Sequence, residues 1–128
     1  MLYDLRHSRL DNLDILLVNP SGKKIMLMSN AGGNMAVTNV TVVFEQLLGP
    51  PPDKDPIWSW QTHHFGPSNY GEPVETQLPA ASPGPYSTNL FDIVGDNPNG
   101  IWALYIYDDN AGATGILLGS WRLEFTFQ

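Results

Sequence analysis

The residues of this sequence best suited to chemistry stand in a row near its C-terminus, where Asp108, Asp109 and Asn110 run into a glycine-containing bend. Three consecutive oxygen-bearing side chains suit Ca²⁺, which accepts irregular cages of oxygen atoms. An EF-hand loop beginning at Asp108 would need an oxygen ligand at its fifth position, glycine at its sixth and glutamate at its twelfth. The sequence has glycine, alanine and glycine there, so an EF-hand is excluded. A looser calcium site at Asp108, Asp109 and Asn110 stays open beside the interpretation as a plain turn.

Two tryptophans offer a second kind of chemistry. In an extended segment Trp58 and Trp60 would point to the same face, because side chains alternate along a strand. A pair of indoles on one face could stack on a sugar ring, although packing in the core or against a loop is the commoner role of such residues. Trp58 and Trp60 are therefore a candidate binding surface.

The patterns that enzymes use are missing. A nucleophile elbow needs the pattern G-x-S-x-G, but Ser120 is preceded directly by Gly119 and followed by tryptophan and arginine. His63 and His64 are adjacent, so in an extended segment they point to opposite faces and cannot readily chelate one ion. We therefore predict no catalytic residues and a protein that is not an enzyme by itself.

Charge and composition restrict the partners. The chain has 128 residues, no cysteine, and 13 acidic against 6 basic side chains, which gives a net charge of -7. Such a surface repels phosphate backbones and anionic lipids, so we predict no nucleic-acid partner and no membrane partner. Asp4, Asp11 and Asp14 stand where a signal peptide would be apolar, so an export signal would lie upstream of this segment.

Prolines and glycines divide the chain into apolar pieces of strand length. The predicted strands are Leu13–Asn19, Lys24–Ser29, Thr38–Phe44, Ile101–Tyr107 and Trp121–Phe127. The sequence NPSG between the first two predicts a tight hairpin turn. In the last strand apolar and polar residues alternate, which predicts one buried face, and the turn at Asp108 is expected to pair this strand with the one before it.

The middle of the chain, from Leu47 to Phe91, is rich in proline, and we expect one or two short irregular strands there, around Ile57–Phe65 in particular. There is no internal repeat and no sign of a second domain, so residues 1–128 are expected to form one domain. Short strands with turn signals and one long excursion predict an all-β sandwich or jelly roll.

Three motifs, in the same order, resemble those of the P domain of proprotein convertases. Leu13–Gly22 is similar to that family's D-L-D-x-x-L-x-S-P-S-G hairpin, and Asn97–Trp102 is similar to its N-x-x-G-x-W entry. Trp102–Phe125 resembles its closing motif, W-x-L-x-V-x-D followed by a bend and W-x-L. The resemblance spans residues 5–125 and is greatest to the P domains of bacterial secreted proteins, which also carry a P-x-x-Y middle like Pro67–Tyr70.

The chain departs from the family pattern in two places. Ala113 stands where the bend normally carries aspartate, which weakens the transfer of a calcium role to this loop. The family has a strand before the region of His7, and only Met1–Leu5 remain of it here. An N-terminal edge of this kind could pair with another chain.

The resemblance implies a jelly-roll β-sandwich of the galactose-binding-domain-like type, with antiparallel sheets and no catalytic residues. It implies an accessory module that packs beside a subtilisin-like serine protease domain and stabilises it, in an extracellular or periplasmic protein. Docking would use an apolar face that includes Ile57, Trp58 or Trp60. The alternatives are a carbohydrate-binding module and a self-assembling structural module that associates through its N-terminal edge.

Overall fold

The computed structural model describes residues 1–110, 112 and 118–127, and the regular structure of these residues is almost entirely strand. The strands are β1 (Leu2–His7), β2 (Leu13–Val18), β3 (Lys24–Met28), β4 (Val37–Phe44), β5 (Thr62–Phe65), β6 (Ala103–Asp108) and β7 (Ser120–Trp121). The helices of these ranges are two single turns of 3-10 type, Leu10–Asn12 and Leu90–Ile93, and neither has the length and apolar character needed to cross a membrane. The prediction of an all-β fold is confirmed.

The strands form two sheets that share a core. One sheet has the order β5-β4-β1-β7 and the other the order β3-β2-β6. Leu5 and Val40 of the first sheet are fully buried in the same apolar cluster as Leu13 and Ile15 of the second. Because both sheets contribute apolar side chains to one cluster, the arrangement is sandwich-like.

Pairing within the four-stranded sheet differs from the expected antiparallel pattern at one edge. β5 runs parallel to β4, with Thr41 opposite Thr62 and Phe44 opposite Phe65. The connection over residues 45–61 brings the chain back alongside β4, where Thr62 begins β5 opposite Thr41, and a parallel pair needs a long connection of this kind. At the other side, β1 lies between β4 and β7, so the N-terminal strand is not at an edge of the sheet.

The predicted hairpin between β2 and β3 is present. The Asn19 side-chain oxygen accepts a hydrogen bond from the Lys23 amide at 2.8 Å and another from the Ser21 hydroxyl at 2.9 Å. Gly22 has a φ of +86°, a conformation that glycine adopts without steric cost. The hairpin fixes the register in which Val18 faces Lys24 and Leu17 faces Ile25.

The prediction for the last strand is wrong in two respects. β6 pairs with β2 and β7 pairs with β1, so the turn after Asp108 joins two different sheets and does not form a hairpin. The strand also covers only Ser120–Trp121, because Leu2 already opposes Trp121 and the antiparallel register then carries residues 123–127 past Met1. Without a ladder partner on β1, Phe125 and Phe127 remain 45% and 77% exposed.

The proline-rich middle of the chain covers the outer face of the three-stranded sheet. Leu16 of β2 and Met26 of β3 are fully buried on that face against Leu78 and Tyr86, which belong to this segment. Two backbone hydrogen bonds attach it to β3: the Ser68 amide donates to the Leu27 carbonyl (3.1 Å), and the Met26 amide donates to the Ser87 carbonyl (2.8 Å). The segment is therefore part of the packed structure, and it covers the side chains on the outer face of β2.

The Tyr86 hydroxyl is one of the groups that hold this segment. It accepts a hydrogen bond from the Leu78 amide at 3.1 Å and donates to the Ser82 carbonyl at 3.0 Å. We expect Tyr86→Phe to lower the free energy of unfolding by about 1 kcal/mol, because a buried amide loses its acceptor. Urea denaturation measures this change. Tyr105→Phe is the control, since Tyr105 packs against the same cluster and its hydroxyl makes no hydrogen bond to another described residue, and an equal loss there would contradict the assignment.

Candidate functional site

The turn at Asp108, Asp109 and Asn110 begins where β6 ends, and its side chains have separate partners. Asp108 Oδ2 accepts a hydrogen bond from His7 Nε2 at 2.9 Å, and Asp108 Oδ1 accepts from the Asn110 amide at 3.1 Å. The Asn110 side-chain oxygen in turn accepts from the Gly112 amide at 3.1 Å. Two of the three predicted calcium ligands are therefore occupied by hydrogen bonds within the fold. Ala113, the position that departs from the family pattern, lies outside the described residues.

The contact between His7 and Asp108 is a buried pair that joins β1 to β6. The His7 side chain is fully buried, with Asp108 Oδ2 in front of Nε2 and the Arg9 carbonyl oxygen 2.7 Å from Nδ1. Burial alone would raise the pKa of Asp108, but hydrogen bonds from the Asn110 amide and His7 outweigh it and hold this pKa below its ordinary value. Asp108 therefore acts as a structural carboxylate bound to histidine.

Sequence reasoning missed this pair because the two residues are about one hundred positions apart and stand on different sheets. The signal within the sequence is the position of His7 two residues after Leu5, because both side chains then lie on the inward face of β1. A histidine on an apolar face needs hydrogen-bond partners, and the sequence gives no way to find them.

The remaining residue of the turn, Asp109, is exposed, and the charges of other carboxylates act on it. Its amide donates to the Asn12 carbonyl at 3.0 Å, which places the turn beside the 3-10 turn that follows β1. Burial raises the pKa of Asp109, and the negative charges of Asp108, Asp11 and Glu75 raise it further. The charge of Asp109 also acts on Arg9, whose guanidinium is bound to Asp11 at 2.7 Å.

The structure adds one acidic residue that sequence reasoning did not consider for a site. Asp14 lies in β2, opposite Tyr107 of β6 and two residues before Leu16, so it points to the outer face that the proline-rich segment covers. Asp14 is 1% exposed, and its carboxylate makes no close hydrogen bond with the described residues, although the Ser29 hydroxyl is near enough to act on it as a donor. Burial raises the pKa of Asp14 to about 6, the neighbouring Ser29 hydroxyl lowers it in part, and the charges of Asp109 and Glu75 raise it. The signal for this residue was its place in the sequence LDILLV, where a carboxylate interrupts an apolar strand.

The charge of Glu75, in the proline-rich segment, acts on Asp14 and Asp109, and its Oε1 atom accepts a hydrogen bond from the Gln77 amide at 2.5 Å. Its backbone is held by Asn69, whose side chain donates to the Glu75 carbonyl at 2.9 Å and accepts from the Glu75 amide at 3.0 Å. Within the described ranges no salt bridge includes Asp14, Asp109 or Glu75. A search of the same residues finds no group of three histidine, cysteine or acidic side chains already placed to hold a metal ion.

The two candidate tryptophans are on the surface. Trp58 is 68% exposed and Trp60 is 70% exposed, next to β5 at the edge of the four-stranded sheet, whereas Ile57 is buried. Three hydrogen bonds fix their backbone: His63 Nε2 to the Trp58 carbonyl (2.8 Å), the Trp60 amide to the Thr38 carbonyl (3.0 Å), and the Thr38 amide to the Ser59 hydroxyl (3.0 Å). Both indoles are therefore available for contact on a backbone that is held in place.

The paired histidines behave as their adjacency predicts. The His63 ring stacks on Phe65 with centroids 5.8 Å apart, whereas His64 Nδ1 contacts Glu45 Oε2 at 2.9 Å on an exposed part of the surface. The two rings take different partners and do not form a chelating pair.

Two parts of the described structure thus have features beyond structural packing: the buried carboxylate of Asp14 and the exposed indoles beside β5. The chain matches no protein-family model, no curated protein and no solved structure. Its function is therefore inferred from its own residues.

Proposed function

We propose that this chain is a non-catalytic accessory module of a secreted subtilisin-like serine protease, with a sandwich of the jelly-roll type. The order of the three motifs that resemble the P domain supports this proposal, as does the all-β fold with two sheets around one core. A module of this kind acts by docking on its neighbour and stabilising it, in an extracellular or periplasmic setting. The docking surface must therefore be found on the outside of the fold.

The single observation that carries the proposal is the exposure of Trp58 and Trp60. Large aromatic side chains dominate the energetics of protein interfaces, and tryptophan is enriched among the residues whose truncation costs most. Trp58 is 68% exposed and Trp60 is 70% exposed. Because the backbone hydrogen bonds of this segment hold both residues in place, little conformational entropy is lost when a partner covers them.

The surface beside the tryptophans suits a protein partner. β5 is the outer strand of its sheet, and the Trp60 amide donates to the Thr38 carbonyl near the start of the neighbouring strand β4. Exposed apolar side chains near an open strand edge are features of interaction surfaces. A sugar ligand would contact the indoles alone. The test therefore distinguishes docking of a protein partner from binding of a carbohydrate.

The test uses the double variant Trp58→Ala, Trp60→Ala and the protease domain encoded in the same reading frame. We expect docking of the two purified domains, measured by calorimetric titration, to weaken at least tenfold in the variant, because both anchors are lost. The free energy of unfolding of the module should change by no more than about 0.5 kcal/mol, as expected for surface positions.

Phe91→Ala is the matched control, since Phe91 is 55% exposed and lies outside this surface. Equal weakening in the control and the double variant would contradict docking through the tryptophans. A reading frame with a glycanase in place of a protease, together with glycan binding that the double variant loses, would replace this proposal with carbohydrate binding.

A further inference from the structure

β7 stands at an open edge of the four-stranded sheet, and the chain beyond it has no ladder partner. β7 pairs with β1 on one side, and no strand of the described residues lies next to it on the other side. Arg122 exchanges two backbone hydrogen bonds with Met1, each of 2.9 Å, and residues 123–127 make no backbone–backbone hydrogen bond with another described residue. The peptide groups of this segment are thus open to a further strand.

The pairing at Arg122 determines which peptide groups face outward. In an antiparallel ladder the N–H and C=O of one residue point to the same side, and those of the next residue point to the opposite side. Because those of Arg122 point to β1, the N–H and C=O groups of Leu123, Phe125 and Phe127 point away from β1 when the strand continues in the same conformation. These three residues therefore extend the open outer edge of β7.

The side chains of this segment have an apolar face that begins in the core. Leu123 packs against the main apolar cluster, and the ring centroid of Phe125 lies 5.3 Å from that of Trp102, which packs on the same cluster. The Phe127 ring follows at 6.4 Å from Phe125 and is 77% exposed. The apolar face of the sandwich thus continues into aromatic rings that remain exposed at the open edge.

The other face of the segment is polar and carries no net charge. Arg122 Nη2 lies 3.0 Å from Glu124 Oε2, and Thr126 is neutral and exposed. The chain as a whole has a net charge of -7, so two copies repel each other at long range. Because the charges of this segment balance, two copies can meet here without bringing an excess of negative charge together.

We infer that residues 123–127 form an antiparallel pair with the same residues of a second copy of the chain, about a two-fold axis at Phe125. In this register the two Phe125 residues face each other, and Leu123 of each copy faces Phe127 of the other. The apolar side chains of both copies then lie on one face, where cross-strand neighbours stabilise the pair. The exposed ring of Phe127 covers the side chain that the other copy packs against its core.

The polar face supports the same register. Glu124 of each copy lies opposite Thr126 of the other, so the pairing opposes no two like charges. The peptide groups of the outer edge also find partners, and the two four-stranded sheets become one continuous sheet. An edge strand with alternating apolar residues and unpaired peptide groups is a template for such pairing.

This association uses neither the docking surface nor the N-terminal edge that the sequence suggested. Trp58 and Trp60 lie beside β5, at the opposite edge of the same sheet, and β1 lies between β4 and β7. The inference therefore does not rest on the proposed function, and either can fail alone.

The test is sedimentation velocity of the purified chain at a series of increasing concentrations. We expect a species with the mass of two chains to grow with concentration, and the melting temperature to rise with it. Thr126→Glu places a second carboxylate opposite Glu124 and should weaken association about tenfold, because the two-fold axis repeats this repulsion. Thr126→Lys places an opposite charge at the same position and should strengthen association severalfold.

Thr62→Glu is the matched control. Thr62 is an exposed threonine of β5, at the other edge of the same sheet, and the variant makes the same change in charge. Its association should stay within twofold of the wild type. Equal weakening in Thr126→Glu and Thr62→Glu, or weakening in Thr62→Glu alone, would overturn the inference, as would a wild type that stays monomeric at every concentration.

Phe127→Ala tests the apolar face separately. It should weaken association at least tenfold, because each interface loses the ring twice, and it should leave the circular dichroism spectrum of the monomer unchanged, because the ring is largely exposed. Association as strong in this variant as in the wild type would contradict the register centred on Phe125.

Discussion

Asp14→Asn is expected to raise the free energy of unfolding at pH 7.5 by about 2 kcal/mol. The wild-type carboxylate is ionised at this pH and is buried, and the Ser29 hydroxyl, acting on it as a donor, offsets only part of the cost of burial. Its pKa rises from 3.8 to about 6 on folding, chiefly through burial. At 1.36 kcal/mol for each pH unit this difference amounts to about 3 kcal/mol, and the desolvated amide of asparagine offsets part of it.

The sign of the pH dependence follows from the same shift. Because the folded state binds the proton of Asp14 more tightly than the unfolded state, protonation stabilises the fold. This contribution is fully present below pH 3.8, the ordinary pKa, and is lost as the pH rises through about 6. Asp109, whose pKa is also raised by burial and by neighbouring charges, acts in the same direction. Asp108, whose pKa is held down chiefly by hydrogen bonds that outweigh burial, contributes stability that is lost as the pH falls below 3.8.

Urea denaturation between pH 4.5 and 8 measures the effect. The wild type should lose stability across this range, whereas the curve of Asp14→Asn should be flatter and should lie above it at pH 7.5. Asp55→Asn removes the same formal charge from an exposed position and should follow the wild type within about 0.5 kcal/mol. Parallel curves for the wild type and Asp14→Asn would show that burial does not raise the pKa of the Asp14 carboxylate in the folded state.

Sequence reasoning located the strands that local patterns determine. The predicted segments at Leu13–Asn19, Lys24–Ser29 and Thr38–Phe44 differ from β2, β3 and β4 by one residue at an end. Their β-branched and apolar runs, bounded by turn residues, require no knowledge of distant partners. The hairpin turn is determined in the same way, since asparagine, proline and glycine act within a few positions of one another.

The features that depend on distant pairing could not be read from the sequence. The alternation in Trp121–Phe127 predicted a half-buried strand, but β7 pairs with a strand at the other end of the chain, and the register ends the ladder after Trp121. The burial of Asp14 likewise requires the proline-rich segment to cover the outer face of β2, which no local pattern indicates. The sequence identified Asp109 as a candidate ligand, but Asp11 and Glu75, whose charges also act on it, stand far from it along the chain and so leave no spacing pattern.

The largest loss of stability is expected for His7→Ala, at about 3 kcal/mol. The ring is fully buried, Nε2 lies 2.9 Å from Asp108 Oδ2, and Nδ1 lies 2.7 Å from the Arg9 carbonyl oxygen. Removal of the ring takes away a hydrogen-bond partner of the Asp108 carboxylate, and it also leaves a cavity in the core. The change should appear in urea denaturation as a lower midpoint with an unchanged slope.

His64→Ala provides a matched control, because the same type of pair occurs at the surface with the same separation. His64 Nδ1 lies 2.9 Å from Glu45 Oε2, but the two side chains are 50% and 51% exposed, whereas those of His7 and Asp108 are 0% and 19% exposed. Water solvates both surface groups when the pair is lost, so the control should lose less than about 1 kcal/mol. Distance alone would predict equal losses in the two variants. A loss in His7→Ala as small as that in His64→Ala would therefore show that the contact between β1 and β6 does not stabilise the sandwich.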